Sequence, residues 1–244
     1  MNSRTHRSPA PSIVLEVDRL TVSFGANRVL DDLCFRVEEG SSLAIIGPNG
    51  AGKTVLFKAL IGALSYQGTV RWAPGTRLGY VPQKLDIERD LPVTGIDLLR
   101  AKAAVLRASR SDVERVLGLV ALHEDVAAQT IGTLSGGQLQ RLLIAFALMG
   151  RPTVVLFDEP TAGVDESGEE DIYVLLRRLQ REERLSLLLI SHELSLVYRH
   201  SDHVLCLSRC HTWFGAPVEI LTPERLQELY GPNLRFHIHD DAHA

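Results

Sequence analysis

Ser42-Leu43-Ala44-Ile45-Ile46-Gly47-Pro48-Asn49-Gly50-Ala51-Gly52-Lys53-Thr54 decides the fold of this chain. A short apolar run enters a glycine-rich turn, and residues 54–64 behind it carry apolar side chains at helical spacing. Strand, glycine turn and helix together open a parallel α/β unit. The turn fits the pattern G-x-x-x-x-G-K-[ST], whose spacing has a chemical reason. Small residues let consecutive backbone N–H groups curl around phosphate oxygens, and the N-terminus of the following helix adds its positive end. Lys53 is then expected to reach β- and γ-phosphates, and the Thr54 hydroxyl to sit on Mg²⁺.

Around this stretch the α/β pattern repeats. Residues 13–17, 20–24 and 33–37 read as strands. Residues 153–157 form a further strand before an amphipathic helix over 169–183, and 186–190 one before a helix over 193–199. Buried parallel strands read as unbroken apolar runs, as Val154-Val155-Leu156-Phe157 does. Between about residues 92 and 149 the strand signal vanishes, and 96–107, 110–120 and 136–149 read as helices, so a helical subdomain is expected as an insert. Residues 204–207 and 212–214 suggest a small hairpin and 223–230 a last helix. The expected organisation is a disordered leader over 1–12, one domain over 13–231 and a polar, His-containing tail over 232–244.

Composition bounds the function. With 45% hydrophobic residues, 23% charged residues and a mean hydropathy of +0.05, the 244-residue chain is neither wholly disordered nor fibrous. Twenty-six basic against 30 acidic side chains, a net charge of −4, provide no general basic field for nucleic acid, so an anionic ligand must be held locally. The longest apolar stretches, over 142–149 and 185–190, are far shorter than the ~18–20 residues of a membrane helix. The basic N-terminal residues have no apolar run behind them, so they do not read as a secretory signal. Cys34, Cys206 and Cys210 are accordingly expected as reduced thiols in a cytosolic setting.

Two further segments carry chemistry. Asp158 and Glu159 end the apolar run 154–157, and neighbours on an extended chain point in different directions. Asp158 can therefore orient a metal while Glu159 polarises an attacking water. Leu134-Ser135-Gly136-Gly137-Gln138 offers a second anion site with no lysine; by itself it reads equally as an N-cap and its helix.

With these motifs in this order, the chain resembles the ATP-binding-cassette (ABC) ATPases, whose signature sequence is LSGGQ. The resemblance covers about residues 13–231 and implies a P-loop NTPase (RecA-like) core of α/β class. An N-terminal antiparallel β portion and an inserted α-helical subdomain complete that fold. It assigns ATP to Gly47, Pro48, Asn49, Gly50, Ala51, Gly52, Lys53 and Thr54, and Mg²⁺ to Thr54, Asp158 and Gln83. Gln83, in Tyr80-Val81-Pro82-Gln83, matches the Q-loop glutamine, which senses Mg²⁺ and the lytic water. His192 matches the switch histidine at the γ-phosphate, and Asp165 the D-loop aspartate that acts across a dimer. Phe24 falls at the adenine-stacking position, where the family more often has Tyr; stacking needs only a π-face. The family forms a head-to-tail homodimer, with ATP between the phosphate loop of one copy and Ser135, Gly136, Gly137 and Gln138 of the other.

The resemblance further implies a transporter motor, peripheral on the cytoplasmic face of the inner membrane. Its partners would be an integral membrane permease, docked near Gln83 and the helical insert, and an extracytoplasmic solute-binding protein. Cassette ATPases that act on DNA or ribosomes carry long coiled coils or two cassettes, which this chain lacks, so no nucleic-acid partner is expected. Gly163-Val164-Asp165, the run Phe214-Gly215-Ala216-Pro217 to Leu229-Tyr230-Gly231, and the His-bearing tail resemble the zinc and manganese importer branch. Iron-chelate or other small-solute transport is the alternative. In the tail, His237, His239, Asp240, Asp241 and His243 form either a divalent-cation site or a solvated terminus. His203, Cys206, Cys210 and His211 are four further zinc-ligand types, but His203 and Cys206 have opposite parity on a strand and should face opposite sides.

Overall fold

β1 (Ile13–Phe24) turns back at Gly25 into β2 (Asn27–Glu38), which pairs with it antiparallel. This computed structural model describes residues 12–83, 92–208 and 211–231, without the side chains of Glu166 and Ser167. The leader up to residue 11, Cys210 and the tail from residue 232 lie outside the described residues. β1 is one strand where two short ones are expected, because a bulge at Arg19 (φ +50°) absorbs the break. Gly68 packs over that bulge, where an added Cβ would stand 2.1 Å from the Arg19 carbonyl oxygen.

β3 (Ser42–Ile46) leads through the glycine turn into α1 (Lys53–Leu60). The helix ends earlier than residue 64 because the chain leaves it through Gly62 at φ +75°. β4 (Gln67–Trp72) joins the free side of β1, and β5 (Leu78–Val81) opens the edge of a second sheet. Both escape the sequence reading. β4 is half exposed and opens with Gln-Gly, and β5 is four residues long.

α2 (Gly95–Leu106), α3 (Arg110–Leu119), a short α4 (Glu124–Ala127) and α5 (Gly136–Leu148) follow. Thr94 with Asp97, and Ser109 with Asp112, form capping boxes that start α2 and α3. β6 (Val154–Asp158), α6 (Glu166–Glu182), β7 (Ser186–Ile190), α7 (Leu194–His200), β8 (His203–Leu207), β9 (Thr212–Gly215), a one-turn α8 (Pro217–Ile220) and α9 (Pro223–Tyr230) complete the chain. β8 and β9 form the expected antiparallel hairpin. His203 stacks on Phe214, whereas Cys206 lies in the core among Ala44, Ile46 and Leu226, so the two do face opposite sides.

The second sheet runs β5-β6-β7-β3-β8-β9, parallel from β5 to β8. Its central strands are covered on both faces, which explains their unbroken apolar runs. Val155, Phe157, Leu187 and Leu189 pack against α2, α3, α5 and α6. Val154, Leu156, Leu188 and Ile190 pack with Leu43, Ile45 and the core of the β1–β2–β4 sheet. The parallel alignment brings the ends of β3, β6 and β7 to one edge, where Gly47, Glu159 and Ser191 begin their loops. Among the described residues, no helix is long and apolar enough to cross a membrane.

Candidate nucleotide site

Gly47 leaves β3 at φ +151°, and a Cβ there would lie 2.1 Å from the Leu207 carbonyl oxygen, so glycine alone fits. Gly50 (φ +79°) and Gly52 (φ +96°) hold left-handed conformations that turn the loop into α1. A Cβ on Gly52 would also meet Leu30 at 2.9 Å and Val29 at 3.0 Å. The β1–β2 hairpin therefore braces the loop from outside. A recess of about 260 Å³ lies between them, lined by Asn27, Val29, Ala51, Ser208 and His211 among others. Phe24, which pairs with Asn27 at the tip of the hairpin, is half exposed.

Lys53 is the first residue of α1 and is almost fully buried. Its Nζ donates to the carbonyls of Gly47 (2.7 Å) and Pro48 (3.2 Å). Burial lowers the ammonium pKa from its ordinary value, and the charges of Glu159 and Asp158 oppose that shift. Thr54 Oγ1 donates to Asp158 Oδ1 over 3.4 Å, and the Tyr80 hydroxyl donates to Asp158 Oδ2 over 3.5 Å. Both bonds are long, so the buried Asp158 is only weakly held. Burial raises its pKa, helped by the adjacent Glu159. A buried carboxylate with weak partners beside a hydroxyl is a set of hard oxygen donors, which fits a small divalent cation such as Mg²⁺.

Glu159 follows at φ +54°, a left-handed conformation uncommon for a residue other than glycine and one that clusters at functional sites. Its amide donates to Ile190 O on the neighbouring strand at 3.1 Å, while its carboxylate accepts a hydrogen bond from Gln83 Nε2. The structure thus brings Gly47 to Thr54, Asp158, Glu159 and Gln83 to one sheet edge. His192 is the second residue beyond β7, exposed, with Nε2 3.2 Å from Glu193 Oε1. Ser191 before it accepts from the buried Tyr173 hydroxyl (2.6 Å) and from the Glu193 amide (3.1 Å).

Ser135, Gly136, Gly137, Gln138 and Asp165 form a separate group. Ser135 caps α5 in a reciprocal box with Gln138. Asp165 caps α6 through the Gly168 amide. Gly136 lies against the Gly163 carbonyl, where a Cβ would come within 1.8 Å. Ser135, Gly136, Gly137 and Asp165 line a recess of about 320 Å³ together with Arg141 and Asp171. Among the described residues, no hydrogen bond joins this group to the phosphate loop. N-capping and anion binding are compatible here, because the glycine amides of the first turn remain outside the capping box.

Sequence reasoning gives no role to Tyr80 or Tyr173. Both sit on elements that bring them to the site only through tertiary packing, Tyr80 on the unrecognised β5 and Tyr173 inside α6.

Comparison with known proteins agrees with this arrangement. Residues 30–162 match the family model described as ABC transporter. The chain is 39% identical over 219 residues to the zinc import ATP-binding protein ZnuC of Jannaschia sp. (strain CCS1), covering 89% of this chain and 88% of the relative. It is 38% identical over 222 residues to ZnuC of Yersinia enterocolitica, covering 90% and 86%. Among solved structures it is similar to an inward-facing ABC transporter of metal-chelate type, with a TM-score of 0.82 and 25% identity over 90% of this chain and 89% of the other. A loop with a buried lysine, a glycine-rich helix start and a carboxylate pair at a strand end follow one another along the chain, and with the family match over residues 30–162 and the identity to these relatives they lead to one conclusion: the chain belongs to the ABC transporter family, as one of its ATPases.

Proposed function

We propose that this chain is the ATP-hydrolysing subunit of a zinc importer, acting on a separate membrane permease. The observation that carries the ATPase chemistry is the convergence of Lys53, Asp158 and Glu159 at the ends of β3 and β6, on either side of β7. The cargo rests on similarity to zinc import ATP-binding proteins over nearly the whole chain. Manganese, iron-chelate or another small solute is the alternative cargo.

In this reading residues 13–231 form one ABC ATPase domain, with the helical subdomain over about 92–149 inserted and 232–244 as a separate tail. Gly47, Pro48, Asn49, Gly50, Ala51 and Gly52 turn backbone N–H groups toward the phosphates, and Phe24 stacks the base. Lys53 exchanges its two carbonyl partners for β- and γ-phosphate oxygens. Thr54, Asp158 and Gln83 hold Mg²⁺, which when bound neutralises phosphate charge. Glu159 accepts a proton from the attacking water, Gln83 steadies that water, and His192 donates to the γ-phosphate.

One copy leaves the outer side of the γ-phosphate without donors. A second copy supplies Ser135 and the amides of Gly136 and Gly137, with Gln138 holding Ser135 and Asp165 reaching across the interface. Loss of the γ-phosphate then removes the shared ligand and opens the dimer. The permease docks beside Gln83 and the helical layer, where α2 and α3 flank a recess of about 430 Å³ lined by Ile96, Ala103 and Val113. The subunit sits on the cytoplasmic face, served by an extracytoplasmic solute-binding protein.

Elemental analysis of cells lacking this subunit tests the cargo. Zinc content and growth under chelation should fall, and added zinc should restore growth. Unchanged zinc with loss of manganese, iron or another solute would replace the cargo and leave the ATPase assignment standing.

A further inference from the structure

The first glycine of the phosphate loop is held by the last helix of the described chain. Gly47 N–H donates to the Tyr230 hydroxyl oxygen at 3.1 Å, across 183 residues of sequence. Pairing between β3 and β8 ends at Ile46 and Cys206, so Gly47 is the first residue beyond the parallel ladder. It is buried, and a buried amide without a partner costs about 1–3 kcal/mol. The other polar group of Gly47, its carbonyl, accepts from Lys53 Nζ at 2.7 Å. Tyr230 Oη, Gly47 and Lys53 thus form a chain from the C-terminal helix to the lysine of the loop.

We propose that Tyr230 is a positioning residue for the phosphate loop, so that α9 sets how well the loop is prepared for nucleotide. The physical need lies in Gly47 itself. Glycine at φ +151° has no side chain to restrict its torsions, so the entrance of the loop cannot hold its own direction. An external anchor on its N–H fixes the peptide from which its carbonyl meets Lys53. A loop already ordered loses less conformational freedom when phosphate binds.

The anchor is itself well supported. Tyr230 packs against the core formed by Leu226, Leu229, Cys206 and Ile46. Thr222 caps α9 through the Arg225 amide, and Pro223 starts the helix with its fixed φ. Burial, then the neighbouring Cys206, push the Tyr230 phenol up to about 12, so it stays protonated and polar at physiological pH. Its Oη can accept from Gly47 at any such pH. The helix lies outside the stretch matched by the family model, residues 30–162.

The proposal rests on residues 47–54 being the nucleotide site, and the test separates the two. Nucleotide affinity and steady-state hydrolysis are measured on the full chain, in the assembled transporter, for the parent, Tyr230→Phe, Leu226→Ala and Lys53→Ala. Tyr230→Phe keeps the ring and removes only the acceptor. It should raise Kd and KM for ATP about 3–10-fold and keep kcat within about twofold. Leu226→Ala loosens the same packing but keeps the Tyr230 hydroxyl; it should lower thermal stability more than Tyr230→Phe does and raise KM less. The Gly47 amide proton should exchange faster in Tyr230→Phe, a readout independent of turnover. Parent-like KM and exchange in Tyr230→Phe would overturn the proposal, as would an equal rise of KM in Leu226→Ala. If Lys53→Ala binds ATP like the parent, the nucleotide-site reading itself fails.

Discussion

Gln83 Nε2 donates a hydrogen bond to the carboxylate of Glu159, a residue held at φ +54°. The bond links the loop after β5 to the loop after β6 and aims Glu159 across the end of the sheet. A carboxylate directed this way, one residue from the buried Asp158, is oriented before any substrate arrives. In the proposed role of Glu159 as base, such preorganisation would matter more for hydrolysis than for binding, because it would act on the water and not on the phosphates.

Glu159→Gln keeps the shape and the contact with Gln83 but cannot accept a proton. ATP turnover in the assembled transporter should fall by about 10²–10⁴, with nucleotide affinity retained. Parent-like turnover would remove Glu159 from its role as base.

Lys53→Ala removes the charge proposed to face the phosphates. Equilibrium titration with ATP should show affinity reduced by about tenfold or more, because charge-assisted hydrogen bonds are among the strongest available. Unlike Glu159→Gln, this variant should fail to saturate at ATP levels that saturate the parent.

Asp158 is buried with two long hydrogen bonds, and burial raises its carboxyl pKa. Its charged form is therefore a cost to the folded chain that bound metal would offset. Asp158→Asn should raise the melting temperature of the metal-free, nucleotide-free protein by a few degrees and abolish Mg²⁺-dependent hydrolysis. A lower melting temperature with full activity would contradict both halves.

A Cβ at Gly136 would stand 1.8 Å from the Gly163 carbonyl, which couples the start of α5 to the loop before α6. In the Glu159→Gln background, ATP should produce dimers in size-exclusion chromatography at high protein concentration. Adding Ser135→Arg or Gly136→Ala should return them to monomers that still bind ATP. Dimers of undiminished yield in the double variants would refute closure through this segment.

Asp112 tests the helical layer without touching the site. Arg151 and the Ser109 capping bonds hold its carboxyl at about 2, below the ordinary 3.8. The native state thus binds fewer protons, and the stabilisation is complete above the unfolded value and lost as pH falls through about 2. Asp112→Asn should lower the melting temperature at neutral pH, and the difference from the parent should shrink steadily in acid. A difference that does not change with pH would mean that the charge contributes nothing.

Residues 47–54 are legible in sequence because cradling an anion with backbone amides demands small residues at fixed spacing, and spacing is a one-dimensional property. The same holds for Ser135 to Gln138, where a capping box writes the helix start into four consecutive residues. The buried strands 186–190 and 42–46 are legible for a related reason: both faces are covered, so every position must be apolar. β4 and β5 are not, since half-exposed or four-residue edge strands leave almost no periodicity to read. Only the tertiary structure decides that Tyr80 reaches Asp158, that Tyr173 holds Ser191 beside His192, and that Tyr230 holds Gly47. Each of these contacts joins residues distant in the chain, and a phenol that anchors a loop is indistinguishable in sequence from one that merely fills a core. Their partners are chosen by the parallel stacking of β3, β6, β7 and β8, which no local pattern encodes.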